Sequence, residues 1–515
     1  MKILKYILGL TLLYAITSCK EKLGNYDYHD INEITIEGVD KSYAILQSID
    51  TLRIKPVYNM TELNVDSSRF SYFWVIKQNN QFLDTLGREK NLNYPVTLAP
   101  NNYVLQLRVI DRQTDVTFIK QTNLSVGTPY SRGWLLVGEN ENDNAEFDII
   151  SMVRDTFPVR NLLAKSGLPT LKGSLLAQHT GGNFESNYKL WISSNTGAYY
   201  LDRVTMKGKV ANTFGSLVYT TDPINKNELS PAVIAPQLAN SSGGSGGSSS
   251  RAVLTSNGHL FAISLFGAAD LYGNPANRHA SNFNKLLKAA PYALYSIGSF
   301  NSVVWYDVDN NRFMNLPSIG FAATSDYPQD LPDDPFPWNQ AGTGRKLRYA
   351  ENTRNTDGGS QHGNSFAVLV DNNKNSFIYK FYANGGNPAK RASYTVNPIA
   401  TDFDKADYYA FSSNRTVVFY AVGAKLYAYD YNPGNEKIYQ FPEIGTDPIT
   451  MLKFDTTVDA ATNALYIATY NTNTKGTLRR FNIGNNPNQV DIQAITRSKW
   501  DGLLKIKTMN WRAVN

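Results

Sequence analysis

The chain has 515 residues, more than one typical domain holds, so two or more are expected. Fifty basic side chains face 44 acidic ones, evenly spread, an excess too mild to suggest a nucleic-acid partner. Charged residues are few at 18%, while 32 Tyr, 24 Phe and 36 Gly are many, which points to β-structure with tight turns rather than helices.

The N-terminus carries Lys2 and Lys5 and then an apolar run of ten residues, Ile7 to Ile16 ("ILGLTLLYAI"). That run is too short to span a bilayer as a helix and fits the core of a signal peptide. It ends in Ile16-Thr17-Ser18-Cys19, and Cys19 is the sole cysteine. The segment resembles the lipobox of bacterial lipoproteins, in which the cysteine is lipidated and becomes the first residue after cleavage; a plain secretory signal is the alternative. The resemblance implies a signal over residues 1–18, a tether over 19–32 and a membrane anchor made of lipid. No other hydrophobic stretch is long enough to span a membrane, and a thiol-free remainder suits export into an oxidising compartment. Lys20-Glu21 resembles the charged surface-export signals of Bacteroidetes lipoproteins, which implies the outer membrane and its outer face; the periplasmic face is the alternative.

Residues 33–127 read as a small β-sandwich. "EITIEGV" (33–39) alternates apolar and polar positions, as a half-buried strand does. "FSYFWVIKQNNQFLDT" (70–85) reads as a hairpin around Asn79-Asn80. "NYVLQLRVIDRQTDVTFIKQTNLSV" (102–126) gives two further strands around "DRQTD". Tyr72 and Trp74 in a Y-x-W strand, followed by the strand from Tyr103 to Val109, resemble a divergent PKD-like domain that lacks the "WDFGDG" stretch. The opening "LGNYDYHDINEITIEGV" (23–39) is similar to that of PKD-like family lipoproteins from Bacteroidetes.

From about residue 133 to the end, a unit recurs: an apolar strand, a short turn with Asn or Gly, and an aromatic-rich strand. Units begin near Trp134, Leu190, Val253, Val303, Ala367, Val417 and Leu465. Their turns ("SNTG", "SNG", "DNN", "DNNKN", "VGAK") suit hairpins, because Asn and Gly tolerate positive φ. Repeats of this length predict a β-propeller of about seven blades, with six or eight as alternative counts and a stacked pair of β-sandwiches as the alternative fold. "LLKIKTMNWRAV" (503–514) is expected to supply a strand that closes the ring against the first blade. "NFNKLLKAA" (282–290) is the best candidate for a short helix.

Catalytic and metal motifs are sparse, so no catalytic residue, metal ligand or cofactor is assigned. His29, His179, His259, His279 and His362 form no close ligand pair. "DVDNN" (307–311) has carboxylates two apart but lacks the Gly and distal Glu of a calcium loop, and reads as a hairpin turn. "AGTGRKL" (341–347) misses the Walker spacing. "SSGGSGGSSS" (241–250) contains G-x-S-x-G around Ser245, but its Ser-Gly surroundings supply neither the strand nor the helix that a nucleophile elbow needs.

The connection 325–364 is the strongest candidate for ligand contact, since long connections in compact proteins tend to be functional or disordered. Its prolines stiffen it, and Tyr327, Phe336, Trp338 and Tyr349 offer flat faces for a sugar or peptide. The alternative is that these aromatics pack the loop onto its own propeller. Trp74, Trp191 and Trp305 lie in strand patterns and are expected in the core. The family resemblance implies an accessory or ligand-binding lipoprotein of a TonB-dependent nutrient uptake system of the SusC/SusD type. Its partners would be the outer-membrane transporter, a surface capture lipoprotein, and a glycan or peptide ligand. A propeller hydrolase of the glycosidase kind and a purely structural scaffold are the alternatives.

Overall fold

The computed structural model describes residues 31–62, 65–240, 250–265, 270–459 and 461–514. Cys19, the segment 1–18, most of the tether and Ser245 lie outside these residues. Two compact units divide the chain after Gly127. Among the described residues there is no α-helix, and none of the segments is a helix long and apolar enough to cross a membrane.

The first unit is a sandwich. Five strands pair in the order Ser42–Leu46, Thr117–Gly127, Asn101–Asp111, Phe70–Gln78 and Gln81–Gly87, with only the first pair parallel. Two ribbons complete it, Ile34–Glu37 with Val57–Met60 and Thr51–Ile54 with Leu92–Pro95. Alternation in Ile34–Glu37 places Ile34 and Ile36 inward, against a core that includes Trp74, Ile76, Leu105, Leu107 and Val109. Asn79 and Asn80 both adopt positive φ (49° and 63°), the backbone twist that a tight two-residue hairpin demands. Arg69 clamps Asp111 through Nε (2.8 Å) and Nη2, which ties the ends of two neighbouring strands.

The second unit contains seven antiparallel sheets among the described residues, each following the last along the chain. Blade 1 holds Arg132–Glu139, Ala145–Ser151 and Phe157–Val159; blade 2 runs from Ser174 to Thr213, blade 3 from Pro231 to Ser264, and blade 4 from Leu294 to Leu316. Blades 5, 6 and 7 occupy Lys346–Thr395, Tyr408–Gln440 and Ile449–Leu503 as numbered spans. The last strand, Lys505–Ala513, returns to pair with Arg132–Glu139, with Trp511 opposite Trp134. The first sheet is therefore assembled from both ends of the unit, and the ring closes as a seven-bladed β-propeller.

Packing follows the ring. Seven apolar clusters each draw on two successive blades, and the seventh joins blade 7 to blade 1 through Trp134, Tyr466, Leu478 and Trp511. All seven apolar strands seen in the sequence are the second strands of their blades, and each turns back through the Asn- or Gly-bearing hairpin. The innermost strands were not distinguished by the repeat. Trp74, Trp191 and Trp305 are buried as expected.

Residues 282–290 depart from expectation: they form no helix, only a 3-10 turn at Ala280–Asn282 followed by extended chain. Tertiary bonds override the local propensity. Asn277 Nδ2 donates to the carbonyl oxygens of Leu287 and Gly258, while Leu287 N donates back to Asn277 O, so the chain is held open.

Closure leaves no room for a side chain at Gly138, where a Cβ would lie 1.9 Å from the Lys505 carbonyl oxygen and 2.6 Å from Leu504 Cδ1. Gly138→Val is expected to lower the melting temperature of the propeller markedly, by forcing the closing strand away. Gly342→Ala, with open space around it, should leave the melt unchanged.

Candidate functional site in the propeller channel

The innermost strands bring polar side chains toward the ring's axis, where a cavity of about 420 Å³ opens. That volume is in the range of small-ligand pockets. Its walls come from blades 3, 4, 5, 6 and 7 and from the closing strand, with Gln237, Tyr292, Tyr349, Glu351, Tyr409 and Lys453 among the lining groups.

A belt of hydrogen bonds fixes this lining. Asn510 on the closing strand donates to Ala177 O (2.8 Å) in blade 2, and its Oδ1 accepts from Gln237 Nε2 (2.7 Å) in blade 3. Lys453 Nζ in blade 7 donates to the same Oδ1 (3.2 Å) and to Met509 O (2.8 Å). Across the cavity, Glu351 accepts the Phe411 backbone N–H, which joins blades 5 and 6. Asn352 Nδ2 reaches Ala293 O (2.9 Å) and its Oδ1 accepts from Tyr295 N (2.9 Å), which joins blades 5 and 4. Tyr292, Tyr349 and Tyr409 form a run of edge-on and tilted ring contacts at 5.8 and 5.4 Å.

Burial sets the charge states. Desolvation pushes the Glu351 carboxyl up to about 8, against the opposing pull of the Phe411 N–H, Tyr349 and Lys453. Desolvation likewise lowers Lys453 to about 8, opposed by Glu351 and Asp455. Burial thus pushes each group toward its neutral form. Glu351 is the single carboxyl in the lining, and no group of three or more metal-ligating side chains exists among the described residues.

The four residues predicted to meet a ligand fall in different places. Phe336 and Trp338 are 2% exposed and cannot form an open platform, which corrects that expectation. Phe336 stacks on Tyr379 at 4.1 Å, and Trp338 sits edge-on to Phe313 and Phe381 between blades 4 and 5. Asp330 and Asp334 both pair with Lys390, and Asp330 accepts the Trp338 N–H at 2.6 Å, so the proline-rich loop is strapped down. Tyr327 is 48% exposed but lies apart from the channel, stacked on His279 at 4.0 Å with Arg312 4.8 Å from its ring centre. Tyr349 alone of the four lines the cavity. In "DVDNN", Asp307 accepts from Asn310 Nδ2 (2.6 Å) within the turn between two strands, as a hairpin should. Glu351 and Lys453 were missed. For Lys453 the signal was a charged residue in a mostly apolar strand, "ITMLKF" (449–454); Glu351 lies in the mixed strand "KLRYAEN" (346–352) and gave none.

The geometry defines a closed seven-bladed propeller with a polar channel, preceded by a PKD-like sandwich. The PKD-like family's sequence model matches residues 19–187, the part of the chain whose opening residues resembled that family. No curated protein matches. Among solved structures, a quinonprotein alcohol dehydrogenase-like protein from Bacteroides thetaiotaomicron is 12% identical, with a TM-score of 0.39 over 93% of this chain and 99% of its own. A protein of unknown function from the same organism is 8% identical, with a TM-score of 0.28 over 86% and 96%. The WD40 domain of SCAP from fission yeast is 7% identical, with a TM-score of 0.28 over 74% and 73%.

Trp338→Ala should cost about 3–5 kcal/mol of folding free energy, the usual result of emptying a buried aromatic site. Tyr327→Ala should cost no more than about 1 kcal/mol, the worth of its exposed stacking on His279 and Arg312. Chemical denaturation of both variants checks the contrast.

Glu351 also gives a pH signature. Its folded-state value lies above the ordinary 4.5, so the folded chain holds a proton that the unfolded chain sheds between about 4.5 and 8. The stability this contributes is lost as pH rises through that window. Glu351→Gln does not titrate, so denaturation at pH 5 and pH 8.5 should show the variant gaining on the wild type at the higher pH.

Proposed function

We propose that the protein is a cell-envelope lipoprotein, anchored through Cys19, whose propeller channel captures a small ligand or the end of a longer one. In this reading it serves a TonB-dependent nutrient uptake system as a binding or accessory component at the outer membrane, facing outward. The observation that carries the binding role is the channel lining: tyrosines, a fixed amide belt and, among the described residues, an ammonium with no carboxylate within 4 Å and a single lining carboxyl. Glycoside hydrolysis by the common route needs two carboxyls about 5–9.5 Å apart. Glu351 has no acidic companion in this wall, which favours capture over hydrolysis there. A pure scaffold would have no use for a cavity whose polar groups are held in place by bonds from six different blades and the closing strand. The membrane role is supported by the lipobox-like Ile16-Thr17-Ser18-Cys19 and the family resemblance.

Labelled fatty acid fed to cells should mark the wild type and not Cys19→Ala. A wild type that is membrane-bound yet unlabelled would contradict the anchor. Pulldown of the anchored protein from its native envelope should bring an outer-membrane transporter with it; recovery without any transporter would contradict the uptake role.

A further inference from the structure

Resting on the channel as the ligand site, we propose that its ligand is anionic: an oligosaccharide ending in a uronic acid, with the carboxylate seated against Lys453. Three cations line the cavity, Arg354, Lys453 and Lys507, against the single carboxyl of Glu351. Lys507 lies 3.7 Å from the Glu139 carboxylate, whereas among the described residues Arg354 and Lys453 donate only to neutral acceptors, Arg354 Nε to Thr456 O at 2.6 Å. Lys453 is the one of the two whose tip is fixed by bonds to the closing strand. It donates to two neutral acceptors, Met509 O and Asn510 Oδ1, and among the described residues no carboxylate comes within 4 Å of it. An ammonium has three donors, so one remains for a ligand.

The tip of Lys453 is also held still. Its acceptor Asn510 is pinned from two other blades by Ala177 O and Gln237 Nε2, so the charge is preorganised rather than swinging on a free stem. A charged amine withdrawn from water and lacking a counterion is costly, and a bound carboxylate supplies the missing charge and hydrogen bond together. Glu351 does not play that part. Among the described residues it makes no ion pair with Lys453 within 4 Å, and its burial pushes it toward the protonated form. The other groups around the amine are Asp455, one residue past the end of its strand, Arg354 and Lys507, and the phenols of Tyr349, Tyr408 and Tyr409, all three raised by burial and therefore neutral.

The remaining wall selects the rest of the ligand. Tyrosine rings pack against the apolar faces of pyranoses, and their hydroxyls and the amide of Gln237 suit sugar hydroxyls. A cavity of about 420 Å³ suits an end group of one or two rings rather than a chain threading through.

The test is calorimetric titration of the full chain at pH 6.5 with digalacturonic acid, cellobiose and an acidic tripeptide. Digalacturonic acid should bind and the other two should not. Lys453→Met should weaken that binding at least tenfold at a temperature where the variant is still fully folded, although losing the bonds to Met509 and Asn510 lowers its melting temperature, and Lys453→Arg should restore most of the binding. Raising the pH to 9.5 should have the same effect on the wild type, since the amine loses its charge as Glu351 gains one. This arm decides the matter if Lys453→Met fails to fold. Cellobiose binding that Tyr409→Ala abolishes, with no preference for the uronate, would overturn the anionic ligand and leave the channel as the ligand site. Tighter binding of the tripeptide would overturn the saccharide. No binding by any of the three would overturn both the inference and the channel's role.

Discussion

The pairing of Lys505–Ala513 with Arg132–Glu139 is the contact on which the second unit depends. A propeller blade cannot bury both faces alone; each relies on the blade before and the blade after it. Six of the seven inter-blade clusters can form as the chain proceeds, but the seventh needs the C-terminal strand. There Trp134 meets Trp511 at 5.1 Å and Tyr466 at 5.0 Å, so rings from the first blade, the last blade and the closing strand interlock. The same strand brings Lys507 and Thr508 into the channel wall and Asn510 into the hydrogen-bond belt that fixes it. Fold closure and site assembly are thus one event, and the Gly138 position, too tight for any Cβ, marks where backbone approaches backbone to achieve it.

The channel owes its chemistry to strand geometry. An innermost strand presents one edge to the axis and its faces to neighbouring blades, so a residue on it is either packed between blades or turned to the channel. Asn510, Asn352 and Gln237 use side-chain amides to reach strands of other blades, which satisfies buried polar groups and sets the spacing of the walls. Glu351 and Lys453 share the resulting low-polarity space, and each shifts toward its neutral form.

Much of this was legible in the residues. Period-2 alternation located Ile34 and Ile36, and the Asn79-Asn80 turn fixed the hairpin, because both signals are local. The repeat registered on the second strand of every blade, since those strands are buried on both faces and read as unbroken apolar runs. It missed inner strands such as Lys346–Asn352, whose mixed polar and apolar pattern comes from facing a channel that exists only when the ring is closed. The aromatics at 336 and 338 were visible, but their direction was not. A proline-stiffened loop can present rings outward or tuck them in, and the choice here rests on Lys390, some 50 to 60 residues away in the chain. The helix expected over 282–290 failed for a similar reason, through the distant partners of Asn277.

Hydrogen–deuterium exchange of the full chain, with and without a mixed digest of neutral and acidic oligosaccharides, tests the central claim most directly: that a closed ring makes the channel the ligand site. The account predicts slowed exchange in the inner strands Lys346–Asn352, Ile449–Phe454 and Lys505–Ala513, with no change on the outer strands of the same blades. Protection confined to the sandwich or to the Tyr327 surface, with the inner strands unaffected, would contradict it.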